Sequence, residues 1–206
     1  MAAERHRPQP DVPLLGLQPA AQHGWREGDA AAAAQVLRRV RCEAEVIVLG
    51  IDIGVSGALV ALDAHGTAAI SDLPTMEIAG QRVVRRKVCA AGLRDLIRHY
   101  VPPGESAMAL IEDVHMGMGK GGAARSSLDL NRGRVEAVLE LMRLQVRVVQ
   151  PPTWKRHFGL LRTEKAQSLE RARGLYPQVA HMLKRQKDHN RAEALLIAHY
   201  GRTVLA

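Results

Sequence analysis

The spacing of apolar residues from about position 45 onward predicts a series of short strands followed by helices. Three β-rich runs, at residues 46–53, 58–63 and 67–72, are separated by the turn sequences GVSG and AHG. Runs of this length that are broken by glycine are typical of an antiparallel meander. The sequence SAMALIEDVHM predicts a fourth strand, and QVRVVQ predicts a fifth.

Helical spacing appears between and after these strands. In KVCAAGLRDLIRHYV, one predicted helical face carries Val88, Leu93, Leu96 and Ile97. A second helix is predicted over residues 126–144, and residues 154–200 are predicted to be helical in two or three pieces. The resulting order, β-β-β-α-β-α-β-α-α, predicts an α/β fold with a five-stranded mixed sheet flanked by helices. This is the order of the ribonuclease H-like superfold.

Residues 1–44 differ in composition from the rest of the chain. They are rich in alanine and proline, and only DAAAAAQVLRRVRCEAE has the composition of a helix. Such a segment buries little apolar surface by itself. We therefore predict a flexible extension over residues 1–44 and one domain over residues 45–206.

The charge of the chain is unevenly distributed. The 206 residues include 29 Lys and Arg against 21 Asp and Glu, a formal net charge of +8. Residues 143–191 contain twelve of these bases and three acids, so their net charge is +9. A basic half of this kind is typical of a polyphosphate partner, because each phosphate contact releases condensed counterions. Charge alone leaves a solvated basic surface open as the alternative.

Cysteine content and hydropathy restrict the cellular setting. Cys42 and Cys89 are the only cysteines and have no paired metal spacing, which argues against a disulfide framework or a zinc site. No run approaches the roughly 18 apolar residues of a membrane span. The N-terminus also lacks the blocks of a secretory signal. We expect a cytoplasmic protein with no membrane partner.

Two acids fall where predicted strands end. Asp52 closes the first apolar run, and Glu112 lies near the end of the fourth strand. The first and fourth strands are neighbours in the predicted topology, about 4.8 Å apart. Two carboxylates at that spacing repel, so one pKa rises unless a hard cation such as Mg²⁺ lies between them. Asp113 is the alternative to Glu112, but alternation along the strand favours Glu112.

A third acid comes from KDHNRAEALLIAHYG, near the C-terminus. Glu193 opens an apolar helix, and Asp188, His189 and Asn190 precede it. Asn190 and Glu193 also match a capping box, in which each side chain accepts a hydrogen bond from a backbone N–H group at the helix start. The sequence allows Glu193 both a capping and a chemical role.

Five segments, in chain order, resemble the RuvC-like Holliday junction resolvases, especially the compact phage-type members. They are GIDIGVSG, IEDVHMGMGKGG, VQPPTWKRHFGL, EKAQ and DHNRAEALLIAHYG. The resemblance runs from about Val46 to Tyr200. It implies a homodimeric endonuclease that uses Mg²⁺, with Mn²⁺ as a substitute, and nicks two strands of a four-way DNA junction symmetrically in recombination and repair.

The resemblance implies four catalytic metal ligands, which are Asp52, Glu112, Asp188 and Glu193. Asp52, Glu112 and Glu193 match the family pattern directly. Family members pair the last acid with an acid or a histidine three or four residues earlier, where this chain has Asn190 and His189. We choose Asp188 because it is the only carboxylate among the three candidates.

Lys155 in TWKRHF and Lys165 in TEKAQ match family lysines that lie near the cleaved phosphate. The resemblance makes both catalytic and DNA-binding, since an ammonium group neutralises charge that develops at phosphorus. Two solvated lysines are the alternative. The sequence GMGKGG lacks the spacer and the Lys-Ser/Thr ending of a P-loop, so we expect a mobile loop beside Glu112. Further DNA contacts are expected from His115, Lys120, Arg125 and Arg132.

Two other functions match parts of the sequence. ATPases of the actin and sugar-kinase type use a similar DIGxSG hairpin, but they need a second lobe for which 206 residues leave no room. A non-cleaving, structure-specific DNA-binding protein of the same fold would differ from the nuclease in lacking metal-dependent nicking.

Overall fold

The structure is a computed structural model that describes residues 46–80, 85–113 and 122–205. The predicted extension, at residues 1–44, lies outside the described residues. Among the residues that are described, none of the helices combines the length and apolar character that crossing a bilayer requires.

A five-stranded mixed sheet forms the centre of the fold. The described residues form seven strands, five in this sheet and two outside it, which are β1 (Ile47–Asp52), β2 (Ala58–Leu62), β3 (Ala68–Asp72), β4 (Thr75–Glu77), β5 (Arg86–Val88), β6 (Ala107–Glu112) and β7 (Gln145–Val149). The sheet order is β3-β2-β1-β6-β7, while β4 and β5 form a separate hairpin. The first three strands are antiparallel, and β6 and β7 run parallel to β1. This topology confirms the predicted ribonuclease H-like α/β fold.

Helices cover both faces of the sheet. They are α1 (Ala90–Tyr100), α2 (Gly122–Leu141), α3 (Pro151–His157), α4 (Lys165–Leu175) and α5 (His189–Tyr200). Two 3₁₀ helices, Pro177–Met182 and Gln186–Asp188, connect α4 to α5, and a π-helical turn, Gly201–Leu205, follows α5. One face of the sheet packs on α1 and α2, and the other packs on α3, α4 and α5.

The hairpin of β4 and β5 was not predicted. Its strands have three residues each, too few for an alternating pattern to appear. Val88, which was predicted on the face of a helix, instead ends β5, and its backbone N–H donates a hydrogen bond to Oδ1 of Asn131 at 2.8 Å. Helix α1 begins two residues later, with Cys89 as its N-cap.

Strand β1 and helix α5 approach each other closely at Gly50. A Cβ atom at this position would lie 2.2 Å from the carbonyl oxygen of Ala194 and 2.5 Å from the backbone nitrogen of Ala198. Only glycine leaves room for this contact. The first turns of α5 are therefore held against the carboxyl end of β1, where Asp52 lies.

Candidate active site

Three of the predicted acids converge where β1, β6 and α5 meet. Strands β1 and β6 pair in parallel with Ile51 opposite Ile111, so Asp52 and Glu112 come next to each other at the carboxyl ends of the two strands. Glu193 lies in α5, which packs on β1. The structure thus brings together residues that are up to 141 positions apart in the sequence.

Burial and neighbouring acids disfavour the ionised forms of Asp52 and Glu112. Burial raises the pKa of Asp52 well above its ordinary value, and the charges of Glu193 and Glu112 raise it further. Burial also raises the pKa of Glu112, although a hydrogen bond from Trp154 opposes this rise. A cation placed among these groups would favour their ionised forms.

Glu112 and Asp113 point to opposite faces of the sheet, as strand alternation predicted. The carboxylate of Glu112 accepts a hydrogen bond from the indole N–H of Trp154 at 2.9 Å. The carboxylate of Asp113 accepts hydrogen bonds from the Arg132 guanidinium and the Gln150 amide. Trp154 was not predicted as a site residue, and its place directly before Lys155 was the only signal in the sequence.

Both predicted lysines lie at the acid cluster. The ammonium nitrogen of Lys155 is 3.3 Å from Oε1 of Glu193, and that of Lys165 is 3.1 Å from Nε2 of His189. Their charges lower the pKa of Asp52, in opposition to the neighbouring acids. The site therefore combines carboxylates that suit a cation with ammonium groups that suit an anion.

The carboxylate of Asp188 is held by arginines. This buried carboxylate accepts hydrogen bonds from the Arg185 guanidinium and from the Arg185 backbone N–H, each at 2.8 Å. These bonds lower the pKa of Asp188. Arg191 Nη1 is 3.9 Å from the same carboxylate, and Arg191 also pairs with Asp72 at the end of β3. Asp188 is thus part of an ion-pair network that joins α5 to the sheet.

His189 contacts one of the two lysines of the site. Its Nδ1 is 3.2 Å from the carbonyl oxygen of Gln186, and its Nε2 faces the Lys165 ammonium. A carbonyl only accepts and an ammonium only donates, so the contacts match the tautomer with hydrogen on Nδ1 and a lone pair on Nε2. Asn190 donates to the Ser56 carbonyl at 2.5 Å and does not cap α5. The capping-box alternative is therefore wrong.

The four further residues predicted to contact DNA fall into three groups. His115 and Lys120 lie outside the described residues. Arg125 is exposed in the first turn of α2. The guanidinium of Arg132 donates to both Asp113 and Glu136, so the protein's own carboxylates already hold it.

The donor set at the site fits a divalent cation. Three carboxylates supply the hard oxygen ligands that Mg²⁺ prefers. No residue of the described ranges donates a hydrogen bond to the carboxylate of Asp52, so its oxygens are available to a ligand. Within the same ranges, however, no three His, Cys, Asp or Glu side chains are already grouped to hold one ion. The acids converge without forming a closed set of ligands.

Comparison with known proteins found similarity among solved structures only. No protein-family model matches the chain, and no curated protein matches it in sequence. Thermus thermophilus RuvC in complex with a Holliday junction substrate is 15% identical, with a TM-score of 0.49, over 77% of this chain and 97% of that chain.

Two further structures show the same kind of similarity. Another structure of Thermus thermophilus RuvC is 15% identical over 76% of this chain and 96% of that chain, with a TM-score of 0.45. Fowlpox virus resolvase in complex with Holliday junction DNA is 12% identical over 78% of this chain and 100% of that chain, with a TM-score of 0.40. RuvC and a poxvirus resolvase are thus among the structures this chain is similar to.

Proposed function

We propose that this protein is a divalent-metal-dependent endonuclease that resolves four-way DNA junctions by paired symmetric nicks. The observation that carries the proposal is the convergence of Asp52, Glu112 and Glu193 beside Lys155 and Lys165 on a basic chain. Burial and neighbouring carboxylates raise the pKa of Asp52 and of Glu112, which a cation beside them would oppose, and the ammonium groups next to them suit a phosphate. A metal ion and a phosphodiester together meet both requirements.

The proposed ligands of Mg²⁺, or of Mn²⁺ in its place, are Asp52, Glu112 and Glu193, with His189 as the fourth group. We prefer His189 to Asp188 because its Nε2 contacts Lys165, whose charge acts on Asp52, whereas the carboxylate of Asp188 is hydrogen-bonded to Arg185. When bound, divalent ions supply an activated water and stabilise the leaving 3′ oxygen in an in-line displacement at phosphorus.

The chain's own residues position the substrate and neutralise its charge. Asp52 and Glu112 end two paired strands, and a rigid sheet positions ligands better than a loop does. Lys155 and Lys165 lie on two separate helices, and the charges of both act on Asp52. Their ammonium groups would offset negative charge that builds on the phosphate oxygens in the transition state.

Paired nicks require two sites related by a two-fold axis, so we propose a homodimer. In α2 and directly after it, the apolar residues Leu128, Val135, Leu139 and Met142 pack on the protein's own sheet. The solvent-facing side of α2 carries a second stripe, which consists of Leu130, Gly133, Ala137 and Leu141. We propose that this outer α2 stripe meets the second copy, because Leu141 is 84% exposed and Gly133 allows close approach.

A cleavage assay on a synthetic four-way junction tests the proposed function. Linear duplex and flap DNA of the same sequence serve as the controls. We expect nicks in two opposing strands of the junction that require Mg²⁺, are absent with a chelator and return with Mn²⁺. Tight junction binding without nicking at any divalent metal concentration would instead favour the non-cleaving DNA-binding protein.

The fourth ligand is tested by comparing Asp188→Asn with His189→Ala. We expect His189→Ala to raise the Mg²⁺ concentration for half-maximal nicking by about tenfold or more. Asp188→Asn should instead lower the free energy of unfolding by about 1–3 kcal/mol, because it weakens buried hydrogen bonds, and leave saturated turnover intact. The opposite pattern would make Asp188 the ligand, as the sequence predicted.

A further inference from the structure

Trp154 is fully buried, and its one polar atom points at a proposed metal ligand. The side chain is 0% exposed, and its indole N–H donates to Oε1 of Glu112 at 2.9 Å. An indole N–H can only donate, so it holds the carboxylate by one oxygen. Among the described residues, Oε2 of Glu112 has no hydrogen-bond partner.

Packing fixes the direction of this donor. Trp154 lies in α3, two residues after the second of the two prolines that begin the helix, and its ring packs edge-on against Phe158 with the centroids 6.4 Å apart. Both rings belong to the core on the α5 side of the sheet. Glu112 has three rotatable side-chain bonds and needs a partner to select one conformation. The buried indole therefore determines where the carboxylate of Glu112 lies.

The face of the same indole contacts Lys155. The Lys155 ammonium nitrogen is 5.0 Å from the ring centroid, within the range of a cation–π interaction. That nitrogen is also 3.3 Å from Oε1 of Glu193. Trp154 thus contacts one proposed ligand with its edge and, through Lys155, reaches a second.

We infer that Trp154 is a positioning residue whose indole N–H holds Oε1 of Glu112 and leaves Oε2 for the divalent cation. The inference rests on the proposed function, because it assigns a partner to one of the proposed ligands. Groups that hydrogen-bond a ligating carboxylate fix its orientation, and their loss weakens metal binding by about 10–100-fold. A tryptophan that only filled the core would need its ring but not its N–H.

The N–H can be removed without changing the shape of the ring. The chain has two tryptophans, so in a Trp25→Phe background Trp154 alone is replaced when cells are supplied with a tryptophan analogue. In β-(3-benzothienyl)alanine a sulfur atom stands where tryptophan has its N–H. The matched control is 5-fluorotryptophan, which keeps the N–H. Mn²⁺ binding is measured by electron paramagnetic resonance, alongside thermal melting, junction binding without divalent metal, and nicking as a function of Mg²⁺ concentration.

We expect the benzothienyl protein to melt and to bind junctions like the fluorotryptophan protein. It should bind Mn²⁺ about tenfold more weakly and need about tenfold more Mg²⁺ for half-maximal nicking. Equal Mn²⁺ affinity and equal Mg²⁺ dependence would overturn the inference while leaving the proposed function in place. A Trp25→Phe protein that neither binds Mn²⁺ nor cuts junctions would overturn both.

A second measurement covers the case in which the benzothienyl protein does not fold. The ¹H–¹⁵N spectrum of the Trp25→Phe protein contains one indole signal, that of Trp154. We expect this signal to move when Mg²⁺ is added and to lose that response in Glu112→Gln. An indole signal that neither Mg²⁺ nor Glu112→Gln moves would overturn the inference.

Discussion

At the scale of single residues, the requirements of the site oppose those of the fold at Asp52. Burial, and then the charges of Glu193 and Glu112, raise its pKa. A carboxyl whose pKa is raised in the folded state stabilises the protein fully below its unfolded pKa of about 4, and this contribution is lost as the pH rises through the folded pKa. The metal-free protein should therefore lose stability as Asp52 ionises.

Asp52→Asn separates stability from activity. We expect the variant to melt above the metal-free parent by a margin that grows as the pH rises above about 4, because the amide never ionises. Junction cleavage in Mg²⁺ should fall by at least about a hundredfold. Glu112→Gln should behave in the same way, since burial raises the pKa of Glu112 as well.

Asp72→Asn is the matched control for pH-dependent melting. A hydrogen bond from Arg191 lowers the pKa of Asp72, so its stabilising contribution is present above about pH 4 and is lost as the pH falls through the folded pKa. The variant should melt below the parent at neutral pH, and the difference should shrink in acid. Junction cleavage by Asp52→Asn at the parent rate would contradict the nuclease proposal.

Lys155→Ala and Lys165→Ala test the two ammonium groups. If each meets a phosphate in the transition state, turnover at saturating DNA and metal should fall by about a hundredfold. The salt dependence of junction affinity should shrink by about one counterion per lysine. Lys184→Ala, which removes an exposed lysine of the same basic half, should keep its turnover. Unchanged turnover and salt dependence in Lys155→Ala and Lys165→Ala would indicate that both lysines are solvated surface residues without a role in the reaction.

At the scale of elements, the contact between β1 and α5 determines whether the third acid reaches the other two. Gly50 permits that contact, because its missing Cβ would overlap the backbone of α5. Glu193 lies one residue before Ala194, whose carbonyl oxygen makes the closest approach. Displacement of α5 would therefore move Glu193 away from Asp52.

Gly50→Ala is expected to lower the free energy of unfolding by about 1–3 kcal/mol, because the core must shift to admit a methyl group. Gly174→Ala is the control, since nothing lies within 4 Å of a Cβ at this position in α4. Its stability should be unchanged or higher by up to about 1 kcal/mol. Urea unfolding measures both changes, and equal midpoints for Gly50→Ala and the parent would show that β1 and α5 do not need the close contact.

At the scale of the whole molecule, the proposed reaction needs two copies of the site. We expect sedimentation to give a species of about twice 22.5 kDa. Leu141→Glu places a charge in the outer α2 stripe, at a side chain that is 84% exposed, so it should yield a folded monomer. Val204→Glu is the control, because Val204 is exposed outside that stripe. A parent that stays monomeric with junction DNA would contradict the dimer. A Leu141→Glu variant that is still dimeric would show that the interface does not lie at the outer α2 stripe.

The sequence by itself determined the order of the sheet strands along the chain, and it determined the strand ends at which Asp52 and Glu112 lie. Both follow from local patterns. Alternation along a strand assigns neighbouring side chains to opposite faces, which separated Glu112 from Asp113. Rules for connecting strands then place β1 beside β6. The hairpin of β4 and β5 was missed because three residues are too few to show a period.

Only the tertiary structure decided which side chains contact one another across long stretches of sequence. Asp188 and His189 are adjacent in the chain, yet Asp188 pairs with arginines while His189 faces Lys165. Trp154 and Glu112 are 42 residues apart, and their hydrogen bond depends on how α3 packs against the end of β6. Hydrophobic periodicity specifies which face of an element is buried, but not which polar groups meet when two faces pack, because that depends on the geometry of the whole folded chain.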